Sequence, residues 1–410
     1  MPSSIDSRPP RRAGPKDYLE EPYRVFFPLG ALWAFVGVNF WVGKAFLPAM
    51  EEMSTKVHVW VQVYGFAWSF VVGFLATAIP RITRTSLIGK VELALLLIFS
   101  ESAVALVCVE RYLAAHGVFL AALATLLVCL ARRFAKGKRM LPASFVFVPF
   151  GFLSALAGTV SLVLVYSGFR WRAAELITLA NNLLFQGLLL FLLLGVGGFI
   201  IRSILGWGTQ LPIKPGQHPD FAKARKPELA ACILGAVILF GSFAIESFVH
   251  DVAGSALKAM VVSAFCIGML KVHRRPRSGK LTAHWLRAAM ILMTAGFWGE
   301  ALLSPQYRLA FLHLAFIGGY GLAIVAVATR VVFSHAGCGH LLDAPHRAFS
   351  TAATLMTVGL VARFTIDFFP MDATRHLAYA GLIWTGGLVV WVVCVLRAVT
   401  RVPVDVESKS

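Results

Sequence analysis

Two histidines inside membrane-length apolar runs are the residues of this chain best placed to do chemistry. His313 lies near the start of residues 307–337, YRLAFLHLAFIGGYGLAIVAVATRVVFSHAG, a run that ends with Arg330 and His335. At that depth an imidazole needs a partner, a metal or a water-filled cavity. His58 heads another such run, KVHVWVQVYGFAWSFVVGFLATAIPRIT. Neutral imidazole is a good metal ligand, so two of them at one depth on facing helices form a candidate ligand pair. The plainer alternative makes His58 an interfacial residue at a helix end and has His313 hydrogen-bonding a neighbouring helix.

Other ionisable residues fall near the ends of apolar runs. Arg363 and Asp367 stand one helical turn apart, a spacing that brings the carboxylate alongside the guanidinium. Arg375 and His376 sit in the loop before the last run, which leaves Arg375 the freer cation for an anionic group. The segment SHAGCGHLLDAPH holds His335, Cys338, His340 and His346, donors that could meet at one copper or zinc ion. A Gly-rich turn after a helix explains the same glycines without metal. Glu101 falls mid-run, where a carboxylate is either a protonated packing group or part of a proton route. Glu246, Glu300 and Arg287 lie near run ends and are expected to snorkel to the interface.

The elements that must position these residues follow from composition. Mean hydropathy is +0.75 and only 14% of residues are charged, which excludes a soluble domain of this length and indicates an all-α polytopic membrane protein. Apolar windows long enough to span a bilayer occur at 25–48, 57–79, 89–108, 112–131, 143–167, 177–201, 229–249, 253–271, 283–303, 307–332, 348–369 and 376–398. That makes about 12 helices in one transmembrane domain over 25–398, between an amino-terminal arm (1–24) and a carboxyl-terminal tail (399–410). The arm is polar and Pro-rich with no apolar core, so no signal peptide is expected. The longest loop, 202–228, reads as a linker.

The net charge of +18 suggests nucleic acid until the basic residues are placed. They concentrate in alternate loops, in the arm and in the tail, so the positive-inside rule puts both termini in the cytoplasm, and lipid headgroups account for the charge. No nucleic-acid partner is expected. Five cysteines lie in apolar runs as small hydrophobes, and no disulfide framework is implied. The second, sixth and tenth runs each contain glycine and finish on an arginine, Arg81, Arg202 and Arg330. That period suggests three repeats of four helices, although any inward-ending helix tends to finish on a basic residue.

The segments PYRVFFPLGALWAF, HVWVQVYGFAWSFVVGFLATAIPRIT and HLAFIGGYGLAIVAVATRVVFSHAG together resemble the NnrS family of bacterial membrane proteins, over most of the length. The resemblance implies a haem- and copper-containing protein of the inner membrane tied to nitric oxide and nitrosative stress. It implies that His58 and His313 hold haem b through its iron, with Phe66, Phe311, Leu314 and Phe316 flanking the macrocycle. Arg375, and after it Arg363, would then meet the propionates. The chain departs from the family pattern in the second run: Val57, His58, Val59, Trp60 and Val61 stand where the family has two histidines and a carboxylate, which puts copper in doubt. The architecture is also similar to haem-copper oxidase catalytic subunits, with histidines on runs two and ten. Asn181, Asn182 and Gln186 occupy run six, so a binuclear oxygen-reducing centre is not expected.

Two readings follow. One is an NnrS-like haem protein that meets nitric oxide and an electron donor. The other is a cofactor-free transporter using Asn181, Asn182, Gln186, Glu101 and His313 as a polar path. No strong break near the membrane centre is expected from the sequence, and this ranks the transporter lower.

Overall fold

The computed structural model describes residues 10–137, 141–208, 219–303, 305–342, 347–369 and 372–403. Among them eleven helices are long and apolar enough to cross a membrane: α1 (Tyr23–Phe46), α2 (Lys56–Thr83), α3 (Lys90–Cys108), α4 (Tyr112–Lys136), α5 (Ala143–Tyr166), α6 (Ala173–Ile204), α7 (Lys226–Phe248), α8 (Asp251–Gly268), α10 (Arg308–His335), α11 (Arg347–Thr365) and α12 (Ala373–Thr400). The remaining expected run forms α9 (Leu281–Leu302), 22 residues long. His284, Arg287 and Glu300 make it more polar than the other eleven. Helices are what such sequences must form, because lipid offers no partner to backbone N–H and C=O groups.

The helices pack as a ring of three like units. Within the units α3 packs on α4, α7 on α8 and α11 on α12. Between units α4 meets α5, α8 meets α9, and α12 closes the ring on α1. The second helix of each unit faces the middle: α2, α6 and α10, with Phe27 of α1, line an apolar central cavity of about 110 Å³. The repeat suggested by the three arginines is thus present in the packing.

Each of these central helices carries a π-helical segment, at Val61–Ala67, Asn182–Gly187 and Leu314–Gly321. The sequence reading missed these interruptions because the backbone stays helical through them, with no Pro to mark them. A π segment re-aims side chains and is frequent at functional sites.

The described part of the arm makes specific contacts. Arg11–Arg12 pairs antiparallel with Arg401–Val402, so both ends of the described chain lie on one face. A latch at Arg24 explains the Pro-aromatic-Arg motif. The guanidinium is buried and pairs with Glu21 at 2.5 Å. It also donates to the carbonyls of Val399, Arg401 and His335. Glu21 in turn holds Arg81 of α2 at 2.8 Å and His335 of α10 at 2.5 Å. One carboxylate and one guanidinium therefore tie α1, α2, α10 and the end of α12 together. Residues 209–218 of the expected linker lie outside the described residues.

Candidate functional site

Three wedges separate the repeats, and each holds polar side chains toward the face opposite the termini. The wedge between α10–α11 and α1–α2 contains both expected histidines. His58 Nδ1 lies 2.7 Å from the Gly37 carbonyl of α1, and His313 Nδ1 lies 2.8 Å from the Leu309 carbonyl. A carbonyl can only accept, so each Nδ1 carries the proton and each Nε2 presents its lone pair. The two rings are within electrostatic range of one another and both are within range of Arg363. Both side chains are half-buried.

Close approach of α1 creates the first of these contacts, since a Cβ on Gly37 would lie 2.5 Å from the Gln62 amide nitrogen. Trp41 and Phe40 sit beside His58, with ring centroids 5.5 and 6.4 Å away. Phe316 stands 6.2 Å from His313. Phe311 instead packs on Phe364 and into the gap left by Gly299 of α9.

The two arginines stand in different surroundings. Arg363 is buried beside both histidines and pairs with Asp367 at 3.4 Å, as the four-residue spacing requires. Arg375 is 63% exposed and pairs with Asp372 at 3.4 Å. Arg375 stands in the exposed first turn of α12, whereas burial brings Arg363 to the histidines. The segment 335–340 does not assemble a ligand set. His335 is held by Glu21, Cys338 is buried with its thiol toward the Ala336 carbonyl, and no cluster of three metal-ligating side chains occurs among the described residues. His340 lies on the short helix that follows, and His346 is outside the described residues.

The wedge between α6–α8 and α9–α10 holds a network that the sequence reading missed. Lys258 of α8 has no exposed side-chain surface. Its ammonium lies 3.0 Å from Glu246 Oε2, 2.8 Å from Glu300 Oε2 and 2.5 Å from Gln186 Oε1. Arg308, at the start of α10, bridges Glu246 and Glu300 from the other side. Asn182 donates to Glu246 at 3.0 Å. Glu246 and Glu300 therefore do not snorkel as expected; they turn inward to two cations. A lone lysine in an apolar run, ALKAMVV, was the available signal.

The third wedge, between α2–α4 and α5–α6, is aromatic. Tyr64 shares a 2.7 Å hydrogen bond with Nδ1 of the fully buried His116, among Trp60, Tyr166 and Phe185. His116 also went unremarked in sequence, because its depth in α4 is evident only once α5 covers it.

Four of the five residues in the transporter reading fall in three separate places. Asn182 and Gln186 join the ion network, His313 belongs to another wedge, and Glu101 of α3 accepts from Trp33 Nε1 at 2.9 Å.

A family model described as NnrS protein matches residues 17–402. The chain belongs to the NnrS family. The match runs from the helical turn before the Glu21–Arg24 latch to its last strand, so the whole NnrS-like ring lies inside it. Membership makes the chain an NnrS-like membrane protein linked to the nitric oxide response. No curated protein matches the chain.

Proposed function

We propose that this NnrS-like protein holds haem b between α2 and α10, with His58 and His313 on the iron, and serves the handling of nitric oxide or protection from nitrosative stress. The observation that carries the reading is the shared tautomer of two imidazoles brought together from opposite parts of the chain. A ligating histidine needs its second ring nitrogen fixed by a hydrogen bond, so that the ligating nitrogen keeps its lone pair in a set direction. The Gly37 and Leu309 carbonyls supply that bond. Arg363, buried nearby, is the cation best placed for a propionate, with Asp367 holding it in line.

Bound haem would supply one-electron and diatomic-ligand chemistry. With two imidazoles on one iron, a diatomic ligand must displace one of them, which favours electron transfer or sensing over rapid turnover. An electron donor is then a required partner. The basic loops support an inner-membrane placement with both termini cytoplasmic. The latch side of the ring would then face the cytoplasm and the histidines would lie toward the periplasm.

Absorption spectroscopy with metal analysis of protein purified after haem-replete expression tests the reading. A Soret band lost in both His58→Ala and His313→Ala is expected. A colourless protein, or a band indifferent to both substitutions, overturns it, and substrate uptake by cofactor-free liposomes would favour the transporter instead.

A further inference from the structure

The Lys258 network is placed for more than holding helices together. Glu246 and Glu300 each have no exposed side-chain surface, and neither does Lys258, in the membrane half farther from the termini. A structural lock does not require this, because a buried ion cluster is often matched in stability by well-packed apolar residues. Ionisable groups inside membrane helices are usually there for charge movement or binding. Two carboxylates and two cations give the cluster a net charge of zero, so a single added proton makes it positive, with little solvent nearby to screen the change.

Facing the carboxylates are Lys258 from α8, Arg308 from α10, and Asn182 and Gln186 from the π segment of α6. Phe243 and Phe297 cover the Lys258 ammonium at 5.5 and 5.3 Å. Asp251 lies within electrostatic range of Arg308, and Tyr320 within range of Glu300. Arg308 alone reaches outward, with a third of its side chain exposed, and so marks the entrance. Each carboxylate also has more than one cationic neighbour, so it can give up one contact on protonation and leave the other cation paired.

We infer that Glu246, Lys258, Glu300 and Arg308 form a proton-holding site that takes up and releases a single proton through the face opposite the chain termini. In the step, a hydronium ion at that face gives up a proton and becomes water, and a carboxylate oxygen of Glu246 or Glu300 receives the proton. One O–H bond breaks and one forms, and the cluster passes from neutral to a single positive charge. Arg308 and His313 share one helix, five residues apart. Where iron sits on His313, an electron delivered to it by an added reductant such as dithionite would favour that uptake by charge compensation. This second step rests on the haem reading, whereas the first does not.

Infrared difference spectra of the full-length protein in lipid nanodiscs, recorded as pH is lowered, test the first step directly. A carbonyl band of a buried carboxylic acid is expected to appear, to shift in heavy water, and to be lost in Glu246→Gln or Glu300→Gln. A second measurement needs no variant: in liposomes of known orientation, the band should respond to a pH jump on the face opposite the termini. Carboxylates that stay ionised throughout, a band untouched by both substitutions, or a response only from the termini side would overturn the site. For the coupled step, a pH-indicating dye should report proton uptake on dithionite reduction of the haem-bearing protein, lost in Glu246→Gln or Glu300→Gln. A colourless protein would defeat the haem reading and leave the infrared result standing, while coloured protein with equal uptake in wild type and variant would defeat the coupling.

Discussion

Two of the three wedges answer the same physical problem in opposite ways. In the wedge between α6–α8 and α9–α10, every charge is met by another side chain: Lys258 by two glutamates and a glutamine, and Arg308 by the same two glutamates. In the wedge between α10–α11 and α1–α2, the imidazoles are met by backbone carbonyls on one nitrogen only. The first arrangement satisfies its own members, and removing any one exposes the rest. The second keeps a valence open, so its members are individually dispensable to the fold and jointly suited to an outside partner. A satisfied network resists the loss of any one member, and a half-satisfied one points to an outside ligand.

The comparison breaks most sharply at Lys258. Lys258→Met leaves Glu246 and Glu300 buried with only Arg308 between them, and removing one partner of a buried ion pair costs about 3–5 kcal/mol. Thermal unfolding in detergent should show a large loss of stability, partly restored when Glu300→Gln is added. A variant as stable as the parent would mean that the network is not what holds α8 to α9.

Glycines sharpen the contrast at the next level. A Cβ on Gly254 of α8 would fall 2.3 Å from the Glu246 backbone nitrogen, where nothing can move aside. Gly254→Ala should therefore destabilise by about 1–3 kcal/mol. Gly37 also excludes a Cβ, but its nearest neighbour is the end of the flexible Gln62 side chain. There the gain in helix propensity offsets the crowding, and Gly37→Ala should change stability by less than about 1 kcal/mol. Equal losses at the two positions, read from the same unfolding curves, would remove the distinction between a rigid wedge and an adaptable one.

Much of this was legible in the sequence, for a definite reason. Hydropathy and loop charge report the environment of whole segments, so they locate the spans and the shared face of the termini, while a four-residue spacing gives the pairing of Arg363 with Asp367. They do not report which side of a helix meets a neighbour. Glu246 and Glu300 sit near helix ends and look free to snorkel, yet they face inward because Lys258 arrives from α8. Arg375 was expected in a loop, yet it opens the first turn of α12 with its side chain exposed. His58 and His313 were visible because histidine is rare at such depth, while His116 needs the covering helix to be noticed. The π segments left no single-residue signal.

The histidines themselves should cost the fold little. His58→Ala or His313→Ala removes one hydrogen bond from a half-buried ring, about 1 kcal/mol. Folded, cofactor-depleted protein with a nearly unchanged unfolding temperature is expected. If either substitution instead unfolds the apoprotein, its imidazole is a packing residue and the wedge keeps no valence open for a ligand.

The smallest effect concerns the other end of the same wedge, where Glu21 joins α2, α10 and α1. Burial alone would raise its pKa, but the hydrogen bond and charge of His335 and the Arg24 guanidinium outweigh burial and hold the carboxyl below its ordinary range. A depressed folded pKa stabilises the native state above the unfolded value, and the stabilisation is lost as pH falls through the folded value. The latch should therefore hold at neutral pH and weaken only in acid below the ordinary glutamate range, by about 1 kcal/mol or less at this partly wetted position. Amide hydrogen-exchange protection at Arg12, Ala13 and Tyr23, corrected for the intrinsic pH dependence of exchange, measures it. Protection should decline in acid in the parent and be lower and flat over the same range in Glu21→Gln. If both proteins decline alike, the carbonyl contacts of Arg24 carry the latch and Glu21 only accompanies them, leaving the wedge closed at one end by backbone acceptors just as its histidines are held at the other.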